Sequence, residues 1–223
     1  MPTTPIRNAL RDTAHSQNVS HNMKKAIYIL TFLLTLNQLS YGQELTIPDN
    51  YSVLDSVSGD LDKDSIAELV VVYNMGPENE IDGVPRELII YKLKNDSWTE
   101  WKKSDQAVYG SKDGGMMGDP FAELKIEKEI LQISHYGGSS WKWGFTDKYR
   151  YQNGEFYLIG YTGIGGKLCE YWREVDFNIS TGKMIVKKEF EECGTEEQEI
   201  YKRENETLYE KGLKITLQNR QER

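Results

Sequence analysis

The stretch DKYRYQNGEFYLIGYT, residues 147–162, constrains the fold of this chain more than any other. Asn153-Gly154 in its centre tolerates the positive backbone φ angles of a two-residue hairpin turn and is the strongest short signal for one. A turn there makes residues face each other across two strands: Tyr151 with Phe156, Tyr149 with Leu158, and Arg150 with Tyr157. The sequence therefore predicts an antiparallel hairpin with one aromatic and aliphatic face.

Strand signals recur from about residue 43 onward, whereas helix signals are weak. The strand-like runs are Leu69–Tyr73, Glu87–Leu93 with a tight turn at Asn95-Asp96, Glu123–Ser134 with a turn at Glu127-Lys128, and Leu213–Leu217. The one helix candidate is Glu196–Glu210, which contains good helix formers.

No compositional break divides this region. We therefore predict a single all-β domain over residues 43–223 with roughly eight to ten antiparallel strands. They would form a β-meander of blade-like sheets, a partial propeller or a sandwich, with at most one short helix near the C-terminus.

The residues before this domain are typical of an export signal. Lys24 and Lys25 precede an uncharged apolar run over residues 26–39, and Ser40-Tyr41-Gly42 has small residues at its first and third positions. The run is shorter than the ~20 residues of a membrane-spanning helix, although a membrane anchor is the alternative. We predict a disordered leader or mis-assigned start at 1–22 and a signal peptide at 23–42. The mature chain would be periplasmic or extracellular, in a bacterium, with no membrane span.

The two cysteines, Cys169 and Cys193, flank two β-rich runs that are separated by a turn-like segment. With a three-residue loop at Ser180–Gly182, the two cysteines would face each other across a hairpin at a distance that suits a disulfide. Export favours such a bridge. The alternative is a pair of free thiols in a redox site, for which the chain lacks a CxxC motif.

The charge of the chain argues against two classes of partner. It has 35 acidic and 27 basic residues and a formal net charge of −8. Binding to phosphates requires patches of lysine and arginine, and no long basic run is present. We therefore predict binding neither to nucleic acid nor to an anionic membrane surface.

The acidic loop, residues 60–68, directly precedes an apolar strand. Calcium prefers six to eight oxygen ligands on a tight loop. Alternate residues of the acidic loop can supply them: the carboxylates of Asp60, Asp62, Asp64 and Glu68, and the backbone carbonyl of Ile66. Carboxylates this close repel one another, and a divalent cation would remove that repulsion.

GDLDKDSIAELVVVY, residues 59–73, resembles the calcium loop of FG-GAP/VCBS-type repeats, the blade motif of integrin-α-like β-propellers. The resemblance implies Ca²⁺ at the residues named above. Ser65 departs from the pattern because glycine is usual at that sharp turn, and this implies a reduced affinity. The motif occurs once, so we expect a non-closing arrangement of sheets rather than a full propeller. The alternative to calcium is a solvated acidic turn.

Trp141, Trp143 and Phe145 alternate within a dense aromatic segment, so on a strand they share one face. That face is either packed in the core or serves as a stacking platform for sugar rings or an aromatic peptide.

Catalytic signals are poor. His135 is the only histidine after the signal region, and no nucleophile-elbow sequence surrounds Ser139 or Ser140 to complete a triad with Asp147. We predict no catalytic residues. The predicted function is a calcium-binding, non-catalytic module at the cell envelope or outside the cell, with a glycan or protein ligand. The alternatives are an envelope hydrolase that uses acidic residues, and an enzyme inhibitor or scaffold.

Overall fold

The computed structural model describes residues 45–78, 81–194 and 198–220, which belong to one compact unit, Glu44–Arg223. The predicted leader at 1–22 and signal peptide at 23–42 lie outside the described residues. Within the described ranges, no helix is both long and apolar enough to cross a membrane.

The described part of the chain is all-β and contains eleven strands. They are β1 (Tyr51–Gly59), β2 (Glu68–Met75), β3 (Arg86–Lys94), β4 (Ser97–Ser104), β5 (Phe121–Glu127), β6 (Ile130–Gly138), β7 (Lys142–Gln152), β8 (Glu155–Lys167), β9 (Tyr171–Asn178), β10 (Lys183–Cys193) and β11 (Gln198–Tyr209). Two short 3₁₀ turns lie at Gly115–Met117 and Leu217–Asn219.

The strands form two antiparallel sheets, and neither sheet closes. A four-stranded sheet has the order β1-β2-β3-β4, and a seven-stranded sheet has the order β11-β10-β9-β8-β7-β6-β5. Within each sheet, strands that follow one another in the chain lie side by side, so both sheets are meanders, as predicted.

The helix candidate at Glu196–Glu210 is wrong, because its described part is strand β11. This strand pairs with β10 along almost its whole length, from Gln198 opposite Cys193 to Tyr209 opposite Lys183. The ladder of hydrogen bonds to β10 outweighs a local helix propensity that amounts to only tenths of a kcal/mol per residue.

Three hairpin turns contain adjacent residues with positive φ. Asn95-Asp96 and Asn153-Gly154 are the predicted turns, and the second gives the predicted pairing of Tyr151 with Phe156 and Tyr149 with Leu158. The third turn is Lys128-Glu129, one residue later than predicted.

The main core contains side chains from facing surfaces of both sheets. Alternate residues of β2 and β3 contribute to it, and so do residues of β6, β7 and β8: Val70, Val72, Leu88, Ile90, Leu131, Ile133, Tyr149, Phe156 and Leu158. The other face of β2 and β3 forms a smaller cluster: Val71, Tyr73, Ile89 and Tyr91. Burial on both faces explains why these strands are continuous apolar runs in the sequence.

The segment after β11 packs on the core without forming the strand predicted at 213–217. Leu213, Ile215 and Leu217 contact the core, and the Leu158 amide donates a hydrogen bond to the Ile215 carbonyl at 2.8 Å. The Ser104 hydroxyl at the end of β4 donates to the Leu217 carbonyl. This segment therefore connects the two sheets.

The structure contains the predicted disulfide between Cys169 and Cys193, with Cα atoms 5.1 Å apart. Its surroundings differ from the predicted hairpin. Asn178 pairs with Lys183, so the loop between β9 and β10 has four residues rather than three. Cys169 lies in the turn before β9, and the disulfide links that turn to the end of β10.

Candidate metal centre

The acidic loop joins β1 to β2 and brings three of its four carboxylates together. Asp60, Asp62 and Glu68 each offer an oxygen within 4.8 Å of the other two. The Asp64 carboxylate is not part of this group and accepts a hydrogen bond from the Ile66 amide at 2.8 Å. The loop thus has a cluster of three acids, with a fourth acid on the same turn.

Hydrogen bonds from the backbone hold these carboxylates in place. One Asp60 oxygen accepts from the Lys63 amide at 2.7 Å, and its other oxygen accepts from the Ser65 amide at 3.0 Å. Lys63 and Ser65 both have positive φ, 72° and 69°. Ser65 therefore adopts the left-handed conformation that glycine takes more easily, which costs on the order of 1 kcal/mol.

Glu68 is the most buried member of the cluster because it is the first residue of β2 and faces the protein interior. The Leu61 amide donates to its carboxylate at 2.7 Å. Burial raises the pKa of Glu68, the charges of Asp62 and Asp64 raise it further, and the Leu61 amide and Lys92 oppose that rise. A buried carboxylate with a raised pKa is a group that a bound cation would stabilise in its charged form.

Lys92, on β3, was not identified from the sequence. Its ammonium group forms an ion pair with Asp62 and lies 3.5 Å from oxygens of Asp64 and Glu68. It also lies 4.2 Å from the ring centroid of Trp101, within range for a cation–π interaction. Desolvation lowers the pKa of Lys92, but the three carboxylates raise it more, so its net direction is upward.

The sequence gives one indication of which way the Lys92 side chain points. Leu88, Ile90 and Lys92 alternate along β3 and therefore point to the same face of the sheet. A lysine at the end of an apolar row must find anionic partners close by. Which carboxylates it would meet depends on the antiparallel pairing of β2 with β3, which a local pattern does not reveal.

The spacing of Asp60, Asp62 and Glu68 is compatible with three ligands of one metal ion. Ca²⁺–oxygen bonds are about 2.3–2.6 Å long, so ligand oxygens around one ion lie up to about 5 Å apart, and the cluster meets this limit. The Lys92 ammonium places one positive charge next to Asp62, Asp64 and Glu68. The alternative is that no metal binds and that Lys92 alone balances the charge of the turn.

The three residues of the predicted ligand platform do not share one environment. Trp143 and Phe145 lie on β7, partly buried, with their rings stacked at 5.8 Å, and both contact Tyr109. Trp141 precedes β7, is 44 % exposed and contacts Tyr171 edge-on at 5.3 Å. Trp141 alone of the three is therefore well placed on the surface.

His135 is buried among aromatic rings and held neutral. Its Nε2 accepts a hydrogen bond from the Tyr109 amide at 3.2 Å, and its Nδ1 has no partner among the described residues. Burial lowers its pKa to about 4, with help from the charges of Arg86 and Arg220. Asp147, the acid of the hypothetical triad, instead accepts hydrogen bonds from Nε and a terminal nitrogen of Arg220.

Comparison of the chain with family models, with curated proteins and with solved structures finds no match in any of the three. The resemblance of the acidic loop to FG-GAP/VCBS-type repeats therefore stays a prediction that rests on the residues of the loop.

Proposed function

We propose that this protein is an exported, calcium-binding module without catalytic activity, and that the acidic loop binds the metal. The observation that carries the proposal is the convergence of Asp60, Asp62 and Glu68 within 4.8 Å of one another. Calcium bound there would neutralise the cluster and fix the turn between β1 and β2, so metal binding would add to the free energy of folding.

Export is supported by the disulfide, since such bridges persist in oxidising compartments outside the cytosol. Binding rather than catalysis is supported by the state of the groups that acid–base chemistry would need. His135 is buried and neutral, and the Asp147 carboxylate is occupied by Arg220. The Asp64 carboxylate and the Ile66 carbonyl would add two further ligand groups beside the three clustered acids.

The test is thermal unfolding of the chain from residue 43 onward in calcium and in EDTA. At calcium concentrations near 100 times Kd, the wild type should gain about 2.7 kcal/mol of stability, or roughly 5–10 °C in Tm for a domain of this size. Asp62→Ala should remove this gain, whereas Asp49→Ala, at an exposed turn, should keep it. A wild type without a calcium-dependent shift, or an Asp62→Ala variant with a full one, would refute the metal site.

A further inference from the structure

The seven-stranded sheet has a groove on its outer face, the face that points away from the core. The cavity measures about 480 Å³. Its floor follows one row of residues in register across five strands, β6 to β10. The row consists of Ser134, Thr146, Thr162, Asp176 and Ile185.

Small residues make this face concave. Gly144 lies between Tyr136 on β6 and Ile164 on β8, both more than 40 % exposed. A Cβ atom at Gly144 would lie 3.6 Å from the Tyr136 side chain and 3.8 Å from that of Ile164. The missing side chain therefore leaves a slot beside the row of hydroxyl groups, with Ile164 as an apolar wall.

The groove offers hydrogen-bond donors and acceptors close together. The hydroxyls of Ser134 and Thr146 are 2.8 Å apart and bond to each other, and Thr162 continues the row. Glu174 and Lys187, paired across β9 and β10, add a carboxylate and an ammonium group at the wall. Such a mixture of hydroxyls, carboxylates and apolar walls suits a ligand that carries many hydroxyl groups on a ring with apolar faces.

The length of the groove suits an extended ligand. Five strands at a spacing of about 4.8 Å give a floor of about 19 Å. A neighbouring cleft of about 180 Å³ shares Glu174 and Lys187 with the groove and adds Trp172, Arg203 and Asn205. The half-buried Trp172 ring and further polar groups therefore continue the surface toward β11.

We propose that this groove binds a neutral oligosaccharide segment, an inference that rests on the binding role proposed above and gives its ligand class. Lys187 offsets the charge of Glu174, and Asp176 leaves the lining with a net negative charge, which disfavours anionic polymers. A peptide that adds a strand needs unpaired backbone at a sheet edge. The floor lies in the middle of the sheet, where each strand is paired on both sides.

The experiment uses the chain from residue 43 onward and titration calorimetry with cellohexaose, xylohexaose, maltohexaose and chitohexaose, with oligo-alginate and single-stranded DNA as anionic probes. Gly144→Val fills the slot; its Cβ would meet ordinary contact distances, the shortest being 3.4 Å to the His135 carbonyl oxygen, and thermal unfolding of the variant checks that it is folded. Thr162→Val removes one floor hydroxyl without changing the shape. Thr207→Val is the matched control, because Thr207 extends the same row onto β11, outside the groove.

We expect at least one neutral hexasaccharide to bind. Gly144→Val should abolish that binding, Thr162→Val should weaken it about five-fold, as loss of one hydrogen bond implies, and Thr207→Val should leave it unchanged. Binding of none of the neutral probes, binding of anionic probes only, or full binding by Gly144→Val would overturn the proposal. Asp62→Ala separates the two proposals, since the loss of its calcium response should leave sugar binding in the groove intact.

Discussion

Replacing Lys92 with methionine tests the electrostatics of the acidic loop most directly. The substitution keeps the length of the side chain and its contact with the Trp101 ring, but it removes the one positive charge among the clustered carboxylates. Without metal, Lys92→Met should therefore destabilise the fold. With calcium, the bound ion takes over the role of the ammonium group, and the variant should bind the ion more tightly than the wild type does.

The magnitude follows from the distances. At an effective dielectric constant of about 20, a unit charge pair 3.5 Å apart interacts by about 5 kcal/mol, and Lys92 makes two such contacts, with Asp64 and Glu68. Desolvation of the ammonium and of buried Glu68, and solvent screening at Asp64, offset most of this. About 2 kcal/mol should remain, which corresponds to a Tm about 4–8 °C lower in EDTA for a domain of this size.

The same 2 kcal/mol should appear in calcium affinity. The wild type must displace Lys92 before the ion can bind and the variant need not, so Lys92→Met should bind Ca²⁺ roughly 30-fold more tightly. Titration calorimetry measures this, and thermal unfolding in EDTA measures the loss of stability. Lys94→Met, the same change two residues further along β3 at an exposed position, is the control. A Lys92→Met variant as stable as wild type in EDTA, or with weaker calcium affinity, would refute the reasoning.

Three further predictions concern other parts of the fold. His135 is neutral in the folded state, so below about pH 6.5 the unfolded chain takes up a proton that the folded chain binds only near pH 4. The free energy of unfolding should therefore fall by on the order of 3 kcal/mol as the pH drops through this window; His135→Gln should flatten the decrease in urea titrations, and an unchanged slope would contradict the assignment. Changing both Cys169 and Cys193 to serine should lower the free energy of unfolding by about 3 kcal/mol, since the bridge closes a loop over a sequence separation of 24; an unchanged urea midpoint would count against that role. Arg220→Met leaves the buried Asp147 carboxylate unpaired and should cost about 3 kcal/mol, and adding Asp147→Asn should restore part of it; a single variant as stable as wild type would disprove the pairing.

Much of the local structure could be predicted from the sequence. Asn-Gly at 153–154 and Asn-Asp at 95–96 determine their turns because few other residue pairs tolerate two successive positive φ angles. Alternation then sets which side chains share a face, since the side-chain period of a strand is two residues. The oxygen-rich turn at 60–68 was recognisable for a similar reason, as its carboxylates are close along the chain.

The features that the sequence did not reveal depend on contacts between distant residues. Strand β11 exists because β10 offers it a partner along almost its whole length, although its residues favour a helix. Lys92 reaches the acidic loop because β2 and β3 pair in one particular register. The floor of the groove joins residues of five strands, and no local pattern links Ser134 to Asp176.

The amino-acid sequence by itself thus determined most of the strands and turns, the disulfide partners and the acidic loop, because each follows from backbone preferences or from residues near one another in the chain. Only the tertiary structure decided that the Lys92 ammonium lies beside the carboxylates and which side chains form the groove. Both depend on the register and stacking of whole strands, where the gain from long-range pairing and burial exceeds any local preference.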